Sequence, residues 1–333
     1  MKKILIIQTA FIGDVILATG IIEKLHRFFP EATIDLLLRK GNESLFIGHP
    51  FLNQLIIWDK QKKKFINLFN VIRKIRQNKY NFVINIQRFS STGIITALSG
   101  ATNKIGFHKN PFSFLFSKSV EHKIGTKDHP IHEIERNNFL ISQITDNIAE
   151  KPKLYPQDKD FEQVKKYKNI SYICIAPTSV WKTKQYPANK WIEFINLLDS
   201  KYKVYLLGAT NDYSACEEIK NNIKANIDIE NLCGKLNLLQ STALMKDSKM
   251  NYVNDSAPLH LASAINAAVA VIYCSTISAF GFEPLSEKSF IVETKEKLNC
   301  RPCGLHGLKE CPEKHFKCAY SINSQQLQES LNS

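Results

Sequence analysis

The stretch from Met250 to Ile265, MNYVNDSAPLHLASAI, decides how this chain is read. A strand end of aromatic and β-branched character (Tyr252, Val253) runs into Asn254-Asp255-Ser256, three good helix N-caps, and apolar residues at helical spacing follow. Pro258 falls in the first turn, where its missing N–H is tolerated. Such a strand-to-helix turn presents unpaired backbone N–H groups and the positive end of a helix dipole, so it can hold an anion such as a diphosphate. Asp255 and His260 frame that position. Capping alone accounts for Asp255 or Ser256. It does not account for His260, because the positive helix end disfavours an imidazolium there.

Outward from this turn, apolar strands and amphipathic helices alternate along the whole chain, which argues a parallel α/β architecture. The first set has strands at 4–9, 33–38, 55–58, 82–86 and 104–107. Helices are expected over 13–28, 65–77, 91–98 and 131–144. A polar stretch with two prolines, Lys151 to Lys168, reads as the connection between domains, with the boundary near residue 155. A second set follows, with strands at 172–176, 203–207, 229–232 and 268–273 and helices at 188–200, 212–223 and 236–245. A short polar helix closes the chain near 324–331. The expected organisation is a first Rossmann-like domain over 1–155 and a second over 156–333. Two such halves place a ligand cleft between them.

Composition bounds the function. The 333 residues are 44% hydrophobic and 23% charged, an ordinary globular balance with room for two cores. No apolar run approaches the ~18–20 residues of a membrane helix. The N-terminal MKKILIIQTAFIGDVILATG superficially resembles a signal peptide, but Asp14 interrupts it and no small-residue cleavage site follows, so a cytoplasmic location is expected. The net charge of +13 is uneven: residues 1–150 hold 21 Lys and Arg against 12 Asp and Glu. A basic half suits nucleic acid, an anionic membrane or an acidic substrate. No aromatic-interleaved RNA-binding motif or zinc-finger spacing is present, so nucleic acid is not the expected partner.

The first strand-to-helix turn, Gln8 to Asp14, is not G-x-G-x-x-G, and the chain has no P-loop. Instead Asp14 stands beside Gly13 where a doubly wound fold faces its ligand. A carboxylate there can take a proton from an attacking hydroxyl; as a plain helix-start residue it is worth about 1 kcal/mol or less. Ala176 to Pro187, APTSVWKTKQYP, carries a strand into a loop of hydroxyls and lysines. Thr178 and Ser179 can donate to phosphate oxygens, and Lys182 or Lys184 can neutralise charge on a leaving phosphate. Gly208, at the end of the next strand, offers backbone to the same ligand, with Asp212 close behind. Asp158-Lys159-Asp160 is formally a D-x-D triplet of the metal–nucleotide type, but it lies in the expected linker.

Taken together, ILIIQTAFIGDVILATGIIEKL, APTSVWKTKQYPANKWIEFINLL and NDSAPLHLASA resemble glycosyltransferase family nine, the ADP-heptose:lipopolysaccharide heptosyltransferases, over nearly the whole chain. The resemblance implies a GT-B fold, with the acceptor mainly on the first domain and the nucleotide sugar mainly on the second. It implies Asp14 as catalytic base and Lys184 as a donor-phosphate contact. Asp255, Ser256, Ala257, Leu259 and His260 become the donor loop. Asp212 corresponds loosely to an acidic donor contact; from the turns themselves, Gly13, Thr178, Ser179 and Gly208 are further expected donor contacts. Ala257 departs from the family's usual Gly. The implied reaction is an inverting, metal-independent transfer from an ADP-sugar to an anionic lipopolysaccharide-core acceptor, at the inner membrane surface. Lys62, Lys63, Lys64 and Arg88 are the expected acceptor contacts. The alternatives are the same fold with another nucleotide sugar, or a non-catalytic protein binding anionic membrane or nucleic acid.

The tail spaces Cys300, Cys303, Cys311 and Cys318 as C-x2-C-x7-C-x6-C. A structural zinc on these four thiols is one expectation; a redox pair, or reduced or disulfide-linked thiols, are the others. Cys174, Cys216, Cys233 and Cys274 read as small core residues.

Overall fold

A computed structural model describes residues 2–61, 63–126 and 128–332. The chain divides into two compact units, Met1–Tyr155 and Pro156–Ser333. The first contains β1 (Lys3–Ile7), α1 (Ile12–Leu17), α2 (Thr19–Phe28), β2 (Thr33–Arg39), β3 (Gln54–Trp58), α3 (Lys64–Asn78), β4 (Phe82–Asn85), α4 (Ser90–Ala97), β5 (Asn103–Phe107), β6 (Lys118–Val120) and α5 (Glu133–Phe139). The second contains α6 (Asp158–Val164), β7 (Tyr172–Ala176), α7 (Ala188–Asn196), β8 (Lys203–Leu206), α8 (Tyr213–Asn221), β9 (Ile229–Asn231), α9 (Leu238–Lys246), β10 (Met250–Asn254), α10 (Ala257–Ala264), β11 (Val269–Tyr273), β12 (Ser289–Glu293), α11 (Lys317–Tyr320) and α12 (Ser324–Asn332).

Each unit holds a six-stranded sheet, ordered β3-β2-β1-β4-β5-β6 in the first and β12-β11-β10-β7-β8-β9 in the second. Every pairing is parallel. Numbered from its own first strand, the second sheet repeats the order of the first, so both are doubly wound. The order reverses between β1 and β4, and again between β7 and β10. Central strands such as β7 (YICIA) and β11 (VAVIY) are buried at every position, because helices cover both faces. In the first unit Val71, Ile72 and Ile75 of α3 pack on Leu5, Leu37 and Val83 of the sheet. In the second, Trp191 and Phe194 of α7 share a core with Ile173, Tyr252 and Leu327.

Three expectations change. The polar stretch 151–168 is not all linker: residues 158–164 form α6, which packs against α9. Asp160 is buried and accepts from the Gln157 N–H at 2.9 Å, so the D-x-D triplet is a helix-start cap. The helix expected over 131–144 stops at Phe139. Beyond it the Ser142 and Thr145 hydroxyls bond the carbonyls of Phe139 and Ile141, which competes with helix continuation. Short edge strands β6 and β12 were not anticipated. Among the described residues no helix is long and apolar enough to cross a membrane.

Candidate active site

In the first unit, Asp14 follows β1 in the first turn of α1, at the point where the strand order reverses. The two strand ends there are tied together. Gln87, after β4, accepts from the Thr9 N–H (3.1 Å) and hydroxyl (2.5 Å). Lys60 donates to the Thr9 carbonyl (3.0 Å) and hydroxyl (2.7 Å). Burial, with Arg39 and Lys64 nearby, pulls the Lys60 ammonium down to about 8. Gly13 is half-buried beside Asp14.

A second carboxylate stands within electrostatic reach of Asp14. Glu133 opens α5, and its Oε2 accepts from Arg136 Nε (2.7 Å) and Nη2 (2.5 Å). Burial raises the Glu133 pKa; Arg136 opposes the shift, Asp14 adds to it and Arg88 reduces it. Burial and the charges of Arg88, Arg136 and Lys109 lower His122 to about 4, so it is neutral at physiological pH. Arg88 is exposed after β4, and Lys63 and Lys64 are exposed at the start of α3. Lys62 lies outside the described residues.

In the second unit the loop after β7 and the loop after β10 meet at the corresponding reversal. Asn254 ends β10 and clamps the β7 loop. Its Nδ2 donates to the Pro177 carbonyl (2.8 Å), and its Oδ1 accepts from the Tyr186 N–H (2.9 Å). Lys184 Nζ lies 2.6 Å from Asp255 Oδ2, with both side chains largely buried. The Thr276 hydroxyl donates to the same oxygen at 2.7 Å. Asp255 is therefore spent on Lys184 and Thr276. Ser256, the N-cap residue, makes no side-chain cap bond. Ser256 and Ala257 remain half-buried at the positive end of α10, while Leu259 and His260 are buried, with the His260 ring 6.2 Å from that of Phe282. Thr178 and Ser179 are half-buried on the β7 loop, and the Ser179 carbonyl accepts from Gln185 Nε2 at 2.6 Å. Gly208 and Asp212 form a separate small turn, in which Asp212 Oδ2 accepts from the Ala209 N–H at 2.8 Å. A Cβ on Gly208 would sit 2.8 Å from the Asp212 Cβ.

The zinc expected on Cys300, Cys303, Cys311 and Cys318 is not supported. All four cysteines are free, and among the described residues no group of three or more His, Cys, Asp or Glu is placed to hold a metal ion. Cys303 instead turns its thiol to the Cys300 carbonyl at 3.1 Å. The segment braces the loops after β7 and β11. Arg301 donates to the carbonyls of Cys274 (2.8 Å) and Thr276 (2.7 Å) and pairs with Glu293 (2.5 Å). Thr183 and Leu308 bond each other through both N–H groups, the Leu308 N–H reaching the Thr183 hydroxyl at 2.7 Å. Gly307 has φ +77°, and a Cβ there would lie 2.9 Å from Lys184 Cγ.

Thr276, Glu133, Arg136 and His122 were not singled out from the sequence, and Asn254 was read there only as one of three helix caps. Thr276 reaches Asp255 only because β10 and β11 run in register, Asn254 opposite Ile272. No local pattern carries that information.

Two doubly wound parallel sheets in one chain are the architecture of the GT-B glycosyltransferase fold, which solved heptosyltransferases share. The sequence profile of glycosyltransferase family 9 (heptosyltransferase) matches residues 68–315, and the chain belongs to that family. It is similar to lipopolysaccharide heptosyltransferase 1 of Campylobacter coli, at 23% identity over 317 residues covering 89% of this chain and 90% of the relative. Among solved structures, the E. coli ADP-heptose lps heptosyltransferase II superposes with a TM-score of 0.81 at 19% identity, covering 100% of this chain and 98% of the other. The E. coli heptosyltransferase WaaC with ADP gives 0.72 at 15% identity, covering 99% of each chain.

Proposed function

We propose that the enzyme transfers heptose from ADP-heptose to an inner-core sugar of lipopolysaccharide, with inversion and without a metal. The observation that carries this reading is Lys184 held by Asp255 beside the N-terminal end of α10. An ammonium has three donors. With one committed to Asp255, two remain for diphosphate oxygens, and the α10 amides add to them. Charge that develops on the departing ADP is thereby neutralised by fixed protein groups, so the scheme needs no divalent cation. The neighbour solved with ADP supports an adenine nucleotide as the donor's carrier.

Asp14 is the proposed base. The acceptor hydroxyl attacks the anomeric carbon, its proton passes to the Asp14 carboxylate, and the bond from that carbon to the diphosphate oxygen breaks as ADP leaves with the electron pair. The first unit then serves the acceptor and the second the donor. Arg88, Lys63, Lys64 and Lys62 suit an acceptor rich in carboxylate and phosphate, as the lipopolysaccharide relatives suggest. The working location is the cytoplasmic surface of the inner membrane. Ala257 favours a second reading, a different nucleotide sugar, because a methyl there limits backbone approach to the donor.

Calorimetric titration of the full chain with ADP, UDP and GDP tests the donor assignment. ADP binds at least about tenfold more tightly than the others, a difference of about 1.4 kcal/mol. A preference for UDP or GDP overturns ADP-heptose and favours the second reading.

A further inference from the structure

We infer that the carboxyl edge of the first sheet, with the start of α3, is a docking surface for an anionic lipid bilayer. The inference rests on the proposed transfer to a membrane-borne acceptor and names the surface that presents the enzyme to it.

Of the chain's 20 phenylalanines, five described ones are more than half exposed: Phe11, Phe65, Phe69, Phe89 and Phe114, at 58–80%. All five lie in the first unit. Phe11 follows β1, Phe65 follows β3, Phe89 follows β4 and Phe114 follows β5. In a parallel sheet those connections leave from one edge. The strand order β3-β2-β1-β4-β5 spreads them over four strand spacings, roughly 19 Å at about 4.8 Å each. Phe69 stands one turn beyond Phe65, so the two rings share a helix face, and Ile66 beside them is 58% exposed. Lys64, Phe65 and Ile66 at the start of α3 are exposed, Leu68 packs partly on the core, and full burial begins at Val71.

The charge on this surface is mainly positive, although Asp14 and Asp59 also lie on the edge, Asp59 paired with Lys40 at 3.2 Å. Residues 60–120 contain twelve Lys and Arg and no Asp or Glu. Lys63, Lys64, Arg88 and Lys109 are exposed on the same edge loops, and Arg73 continues the Phe65–Phe69 stripe one turn further. Scattered exposed apolar residues are ordinary on soluble proteins. A row of rings among predominantly basic residues is not, and it matches the two attractions of a bilayer interface. Aromatic rings settle at headgroup depth, and Lys and Arg are drawn to anionic lipid. Single-stranded nucleic acid can also stack on exposed rings in a basic setting, but the lipid-borne acceptor proposed above favours the bilayer. Asp14 shares this edge, so docking would turn the proposed base toward the leaflet that carries the acceptor.

The test is sedimentation of the full chain with vesicles of phosphatidylcholine, with and without phosphatidylglycerol. The protein binds the anionic vesicles, and binding falls steeply with salt. Phe65→Ser/Phe69→Ser lowers partitioning about tenfold or more while thermal stability stays at the wild-type value. Arg73→Gln/Lys74→Gln weakens binding and flattens its salt dependence. Equal binding to neutral vesicles, absence of binding, or wild-type binding by the Phe65→Ser/Phe69→Ser variant overturns the inference. Transfer to a lipid-free core oligosaccharide, measured in parallel, separates the two readings. Docking fails alone if that transfer proceeds without vesicle binding, and the transfer reading fails alone if vesicles bind but no sugar moves.

Discussion

Lys184→Met separates the structural role of Lys184 from its proposed phosphate contact. Lys184 and Asp255 lie 2.6 Å apart with side chains 13% and 7% exposed. Removing the ammonium leaves a buried carboxylate with Thr276 as its remaining described donor. Breaking a buried pair from one side costs about 3–5 kcal/mol; residual solvent access places this one near 3. For a unit the size of Pro156–Ser333 that lowers the melting temperature by about 6–12 °C. The same substitution removes the two proposed charged hydrogen bonds to diphosphate, each worth about 1.5–3 kcal/mol, so ADP affinity falls about 10²- to 10⁴-fold. Lys184→Met/Asp255→Asn removes both charges and recovers about 1–3 kcal/mol of stability as the coupling term, without recovering ADP affinity. Calorimetric ADP titration and thermal denaturation of the wild type, both single variants and the double variant read the two effects apart. ADP affinity in Lys184→Met within about twofold of wild type would refute the phosphate role, and strict additivity of the stabilities would refute the pair.

Two further outcomes follow from the same contacts. Gly307→Ala places a methyl against Lys184 Cγ at a left-handed φ, at a cost of about 1–2 kcal/mol. Because that methyl displaces the lysine, ADP affinity drops although residue 307 is far along the chain; unchanged affinity would show that the tail does not position Lys184 for the proposed phosphate contact. Burial lowers His49 to about 4 against an unfolded value near 6.5, so between those values the unfolded chain binds the extra proton. Stability is full above about pH 6.5 and falls as the pH drops toward 4, by up to about 3 kcal/mol, with His122 adding in the same direction. His49→Gln flattens melting temperature against pH over that window, and a slope equal to the wild type would remove His49 as a cause.

The elements most readable from the sequence were the buried parallel strands. Continuous apolar runs such as Tyr172–Ala176 have no other comfortable place than a sheet covered on both faces. The turn around Asp255 was equally legible, since a strand, a cap cluster and a proline follow each other in a fixed local order. Its wiring was not. Capping was the obvious use for Asp255, yet the carboxylate goes to Lys184, 71 residues upstream in sequence, and to Thr276. The Glu133–Arg136 pair near Asp14 was hidden for the same reason, since its i,i+3 spacing looks like any surface helix pair. In the tail, thiol spacing suggested a metal, whereas Arg301, Gly307 and Leu308 do the structural work. Contacts set by sheet register and loop docking leave no periodic trace, so spacing arguments stop short of them.

Asp14→Asn tests the account most directly, with sugar transfer and donor binding measured on the same preparation. The amide keeps the side chain's shape but cannot accept the acceptor's proton, so turnover falls by about 10²–10⁴ while the affinity for ADP-heptose stays within about twofold. Transfer at the wild-type rate, or a loss of donor affinity that accounts for the whole defect, would contradict Asp14 as the base.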